Sequence, residues 1–168
     1  AAFSTTSGTG STSSAACQCI AGYELLGASC EPCPDGKYKT NNGNTRCDAC
    51  PVSSTTGKTG STSRLDCTCL AGFGGDATRG SCESCSAGKF KASISNEVCT
   101  NCKAGTFNSN KKSTAGDACI PCAKGWFSSN DGAIECEAAP DGCFVSTSGA
   151  SEWQSCDIGT FSKSQASD

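Results

Sequence analysis

The chain has 168 residues, of which 17 are cysteine and none is histidine or methionine, and its formal net charge is −3. A cysteine content near a tenth is the level of a disulfide scaffold. Leu, Ile, Val and Phe together supply only 19 residues. That rules out a single large hydrophobic core, so crosslinks must offset a chain entropy of about 1–2 kcal/mol per residue.

Residues 1–17, AAFSTTSGTGSTSSAAC, open without an initiating Met or a signal peptide, and read as a partial module at the edge of a mature or internal piece of a longer chain. They align without gaps to 51–67, PVSSTTGKTGSTSRLDC. The equivalent of Cys50 would stand one residue before Ala1, so Cys17 is expected to lack a partner within the chain or to bond another copy. Residues 18–50 form a first cysteine-rich repeat, 51–67 a connecting stapled loop, and 68–102 a second repeat. The cysteines at 17, 19, 30, 33, 47 and 50 recur at 67, 69, 82, 85, 99 and 102, an internal period of about 50 residues. Residues 103–136 read as a third repeat. Residues 137–168 read as a divergent or partial module: EAAPDGC is a longer spacer, and Trp153 stands where a cysteine is expected three residues before Cys156.

A smaller period lies inside these repeats. The pattern C-x-x-G-x-[YF] occurs at Cys33, Cys85, Cys102, Cys122 and Cys156. In the first four, another cysteine follows 14 or 17 residues on. The intervening Asn, Gly, Ser and Thr favour turns. Each unit is predicted to be a short hairpin or irregular loop tied by one bridge, with the glycine in a tight turn and the aromatic packed on a neighbouring disulfide.

Sequence alone leaves connectivity open; the repeat narrows it, because each copy should pair alike. Pairing near neighbours in series predicts Cys19–Cys30, Cys33–Cys47, Cys50–Cys67, Cys69–Cys82, Cys85–Cys99, Cys102–Cys119, Cys122–Cys136 and Cys143–Cys156, with Cys17 left over. The expected fold is small and disulfide-rich: an elongated tandem array of short β-hairpin or irregular modules with little helix, stacked like other repeat proteins.

The motifs C-x-x-C-[PSAK]-x-G-x-[YF], the following C-x-x-C, and CxCxAG[YF] at Cys17 and Cys67 resemble the ephrin-receptor-like cysteine-rich repeat, a relative of EGF-like and tumour-necrosis-factor-receptor-like modules. The resemblance covers 17–136 well, and 1–16 and 143–168 in part. It implies an extracellular or cell-surface module with a spacing, adhesive or assembling role, as in animal receptors and in filament and flagellar-hair proteins of protists and algae. It carries no catalytic residues.

Other chemistries fit less well. The pairs Cys30/Cys33 and Cys47/Cys50 have zinc-ribbon spacing, but cysteines continue along the chain without histidine. Redox C-x-x-C sites start helices, and no helical period is visible. No base for a catalytic triad stands out among scattered acids. Loops at Asn41–Asn44 and Asn130–Gly132 carry oxygen ligands suited to calcium, although turn chemistry explains them more simply. No metal and no cofactor is therefore expected. The Ser/Thr tracts make Thr5, Thr6, Thr9, Thr12, Thr55, Thr56, Thr59 and Thr62 candidates for O-glycosylation. Trp126, Phe144 and Trp153 are candidate interface anchors. The absence of a basic cluster argues against nucleic acid, and the short apolar runs against membrane insertion. Disulfides at this density imply an oxidising, extracellular setting. The expected partners are copies of the chain in a filament or longer array; the alternative is a spacer or ligand-binding region of a cell-surface receptor or adhesion protein.

Overall fold

Each module begins with a four-residue turn dictated by its glycine. In the Cys33 module Lys37 N–H donates to Pro34 O at 3.0 Å; the same bond recurs at Lys89 to Ser86, Thr106 to Lys103 and Trp126 to Ala123. The turn requires left-handed backbone at its third residue, which glycine adopts without a Cβ penalty. Gly36, Gly88, Gly105 and Gly125 hold φ of 79° to 84° there. Phe3 and Ser53 take the same place at φ 58° and 62°.

The turn launches a short strand, and the chain returns 10–15 residues later to pair with it. Lys37–Tyr38 pairs antiparallel with Asp48–Ala49, Lys89–Phe90 with Thr100–Asn101, Thr106–Phe107 with Ile120–Pro121, and Trp126–Phe127 with Glu137–Ala138. The longest ladder joins Tyr23–Leu26 to Ser29–Pro32. The computed structural model describes residues 2–6, 8–13 and 16–157, and among them every sheet has only two strands. Single 3-10 turns occur at Arg64–Asp66, Ala77–Arg79 and Gly116–Ala118. The copy of the motif at Cys156 runs into 158–168, which lie outside the described residues, as do 1, 7, 14 and 15.

Seven disulfides close the described modules: Cys19–Cys30, Cys33–Cys47, Cys50–Cys67, Cys69–Cys82, Cys85–Cys99, Cys102–Cys119 and Cys122–Cys136, with Cα separations of 5.4 to 5.8 Å. These bridges replace an apolar interior. Apart from Asn108, the largest fully buried side chains are all cysteines: 19, 33, 67, 69, 85, 102 and 122. The chain is therefore a small disulfide-rich fold of tandem hairpin modules. It divides into two compact units. One comprises Ala1–Leu70, Gly75–Glu83 and Ile94–Glu97; the other comprises Ala71–Gly74, Ser84–Ser93 and Val98–Asp168.

The expected eighth bridge, Cys143–Cys156, is not among these seven. Ala-Pro-Asp-Gly-Cys-Phe at 139–144 repeats Cys-Pro-Asp-Gly-Lys-Tyr at 33–38. Cys143 N–H closes the turn onto Pro140 O, and Cys143–Phe144 pairs with Gln154–Ser155. Ala139 thus stands where a module-opening cysteine stands, and Trp153 where the closing one does, 14 residues on as in Cys33–Cys47. Cys143 is a strand residue opposite Ser155, and Cys156 follows one position later. A small apolar cluster of Phe127, Ala139, Val145 and Ala150 stands in for the missing bridge.

Candidate functional site

The chemistry that repeats along this chain lies where one module meets the next. In the second unit, Gly88 N–H donates to Asn108 O at 2.7 Å and Lys112 N–H to Cys85 O at 2.8 Å. One module on, Gly105 N–H donates to Ser128 O and Gly132 N–H to Cys102 O; then Gly125 N–H to Val145 O and Gly149 N–H to Cys122 O. The first unit repeats the scheme, with Gly22 N–H to Lys39 O, Gly43 N–H to Cys19 O and Gly60 N–H to Cys33 O. The Cys19, Cys69, Cys85, Cys102 and Cys122 modules each offer the turn glycine N–H and the opening-cysteine carbonyl, and backbone groups farther along the chain satisfy both. Backbone polar groups near buried sulfur would otherwise be left unpaired at a cost.

The same contacts explain two glycines beyond their turns. A Cβ on Gly88 would fall inside the carbonyl of Gly132, and one on Gly105 inside that of Gly149. The module two steps along thus comes into backbone contact, which only glycine admits.

The sixth residue after positions 33, 50, 85, 102, 122 and 139 is buried at this seam: Lys39, Thr56, Lys91, Asn108, Ser128 and Val145. Most are polar, and hydrogen bonds balance the cost of their burial. Asn108 Nδ2 donates to Lys89 O at 3.1 Å and to Ser113 Oγ at 2.9 Å, while its Oδ1 accepts from Asn110 N–H at 3.0 Å. Lys39 Nζ donates to Tyr23 O and Gly43 O. Burial pushes the Lys39 ammonium below its ordinary pKa, and the Glu24 carboxylate opposes that shift. Glu24, itself buried, accepts from Cys47 N–H at 3.1 Å and lies 3.7 Å from Arg46. Hydrophobic periodicity could not reveal these positions; counting from the opening cysteine would have.

The loops considered for calcium serve this seam instead. Asn42 Oδ1 accepts from Ala21 N–H at 3.0 Å, and Asp131 Oδ1 from Ala104 N–H at 2.9 Å. Asp131 is held below the usual carboxylate value first by that N–H and then by Lys103. Among the described residues no group of three or more His, Cys, Asp or Glu is placed to hold a metal ion.

The glycosylation candidates divide. Thr6, Thr9, Thr12, Thr59 and Thr62 are exposed and Thr5 is half-buried. Thr55 and Thr56 are buried. The Thr55 hydroxyl donates to Asp35 Oδ1, and the single Thr56 hydroxyl proton is shared between Asp35 Oδ1 at 3.1 Å and Lys58 O at 2.7 Å. Of the aromatic candidates, Trp126, Phe144 and Trp153 are 36%, 37% and 42% exposed. Trp126 lies on the strand beside buried Phe127, while Phe144 and Trp153 belong to the module without a bridge. Cys17 is a half-buried thiol on the strand Cys17–Cys19, opposite Thr6.

No curated protein matches the chain. The pattern of the ephrin-receptor-like family, described as tyrosine-protein kinase ephrin type A/B receptor-like, matches residues 23–67 and 112–156, together more than half of the chain. Those segments contain the bridges Cys33–Cys47, Cys50–Cys67 and Cys122–Cys136. The chain belongs to the ephrin-receptor-like family of cysteine-rich repeats.

Proposed function

We propose that this chain is a non-catalytic structural segment of an extracellular rod or self-assembling surface filament, in which stapled modules keep distance and bear load. The observation that supports this reading most directly is the recurrence of one seam. The same pair of backbone hydrogen bonds joins the Cys85, Cys102 and Cys122 modules each to its successor, so the scheme has no intrinsic last member. A heterologous contact that does not close on itself builds a fibre. The side chains at the seam are engaged in holding modules together and leave no constellation of nucleophile, base and oxyanion donor. Seven bridges suit an oxidising, extracellular setting.

Electron microscopy of the native particle tests the reading. Filaments whose axial repeat matches whole modules are expected. A uniformly monomeric particle, with only monomer on a non-reducing gel, would reject assembly.

The receptor-like family name favours a second reading: a spacer that holds a ligand-binding or adhesive domain away from a cell surface. No helix among the described residues is long and apolar enough to cross a membrane. The discriminating observation is the flanking sequence. Further copies of the repeat support the filament, and a spanning segment followed by a signalling domain supports the receptor.

A further inference from the structure

Of the asparagines in the chain, Asn42 alone is followed by glycine. That dipeptide carries its own chemistry. The main-chain nitrogen after an asparagine attacks the side-chain amide carbon, and a glycine there presents no side chain to hinder the approach. A Cβ placed on Gly43 would meet nothing within 4 Å, and Gly43 holds φ 145°, a conformation that suits glycine best. Asn42 is exposed and Gly43 half-buried, so water reaches the pair. Asparagine counts among the thermolabile residues.

Both reacting groups are engaged at the seam between the Cys19 and Cys33 modules. Gly43 N–H donates to Cys19 O at 2.8 Å. Asn42 Oδ1 accepts from Ala21 N–H at 3.0 Å. The neighbouring Asn44 accepts from Cys19 N–H and donates to Cys17 O, each at 3.1 Å, and Lys39 Nζ donates to Gly43 O. These hydrogen bonds fix residues 42–44 against the hairpin stapled by Cys19–Cys30. Ring closure needs Gly43 N to give up the proton that Cys19 O holds, and Asn42 Cγ to swing free of Ala21. Both require the seam to open, which is a local unfolding step.

The Cys102 module shows what one product would do. There Asp131 and Gly132 take the places of Asn42 and Gly43. Gly132 N–H donates to Cys102 O at 2.7 Å, and Asp131 Oδ1 accepts from Ala104 N–H at 2.9 Å. An aspartate at position 42 therefore fits the seam. An isoaspartyl link does not, because it adds a carbon to the main chain between the two hydrogen bonds.

We propose that Asn42–Gly43 is a self-modification site, held shut by the intact seam and switched on when the Cys19 module opens. Gly43 N bonds to Asn42 Cγ as the Cγ–Nδ2 bond breaks, and ammonia leaves with the proton from Gly43. Water then opens the cyclic imide. Hydrolysis at Cγ gives aspartate, and hydrolysis at the main-chain carbonyl gives the isoaspartyl link. The aspartyl product redocks and the isoaspartyl product does not, so the loop keeps a covalent record of having opened. The chemistry is the same in a filament segment and in a receptor spacer.

Incubating the oxidised chain beside the reduced, alkylated chain at mildly alkaline pH tests this. Fragment masses of the tryptic peptide 40–46 read the conversion at Asn42. It is expected to be at least about tenfold faster in the reduced chain. In the otherwise oxidised chain, Cys19→Ser with Cys30→Ser should speed it, whereas Cys122→Ser with Cys136→Ser should not. Asn42→Asp supplies a check that leaves every bridge in place. It is expected to keep the hydrogen-exchange protection of Gly43 within about threefold of the parent. Equal rates in the oxidised and reduced chains, equal effects of the two bridge deletions, or loss of Gly43 protection in Asn42→Asp would overturn the proposal.

Discussion

Glycine 88 and its counterpart at 105 show how much one hydrogen atom in place of a methyl group decides here. Both hold φ above 80°, and both face a carbonyl two modules away. Gly27 also has positive φ but nothing within 4 Å of a would-be Cβ. Gly88→Ala and Gly105→Ala are therefore expected to cost about 2–4 kcal/mol, and Gly27→Ala about 1 kcal/mol from backbone strain alone. Equal losses in thermal unfolding of the oxidised proteins would contradict the close approach. Asn108→Ala leaves Lys89 O, Ser113 Oγ and Asn110 N–H short of a partner and should cost roughly 2–4 kcal/mol. Asp35 carries a pH dependence. The Thr55 hydroxyl first, then Thr56 and Gly57 N–H, hold its carboxyl below the ordinary 3.8. The unfolded chain then binds the proton more readily, so this contribution is fully present above that value and is lost as pH falls through the lower folded one. Hydrogen exchange at 54–57 between about pH 5 and pH 2 should lose less protection in Asp35→Asn than in the parent. The turn role of the glycines was legible from C-x-x-G-x-[YF]. Their contact two modules on was not, because nothing in a local motif encodes which distant carbonyl arrives.

At the level of the module, six of the seven bridges share an opening-to-closing spacing of 11, 14 or 17 residues and one spans 13, and that regularity made them readable. Reading by cysteine passes over a module whose opening position is alanine. Cys143 drew attention away from Ala139, although Pro-Asp-Gly at 140–142 repeats Pro-Asp-Gly at 34–36. The sixth-position residue changes with its surroundings. It is lysine at 39 and 91, after each C-x-C module, and valine at 145, where an apolar cluster replaces a bridge. Val145→Ala is expected to destabilise the Ala139 module by about 1–2 kcal/mol while leaving protection in the Cys33 module unchanged. A loss spread over both, measured by hydrogen exchange, would contradict modular stability.

Across the whole molecule, stability resides in serial covalent loops joined by a repeated hydrogen-bonded seam rather than in a shared interior. The cysteine count and the scarcity of large apolar residues made that legible before any coordinates. The seam was invisible because backbone amides, which every sequence has, carry most of it. The Thr-rich tract at 51–62 looked like one surface feature, yet Thr55 and Thr56 are internal and Thr59 and Thr62 external, a division set by the single carboxylate of Asp35. Disulfide mapping of the non-reduced protein by proteolysis and mass spectrometry tests this account most directly. The account predicts peptides linking 19 to 30, 33 to 47, 50 to 67, 69 to 82, 85 to 99, 102 to 119 and 122 to 136. Links between cysteines of distant modules, or free thiols at these positions, would contradict it.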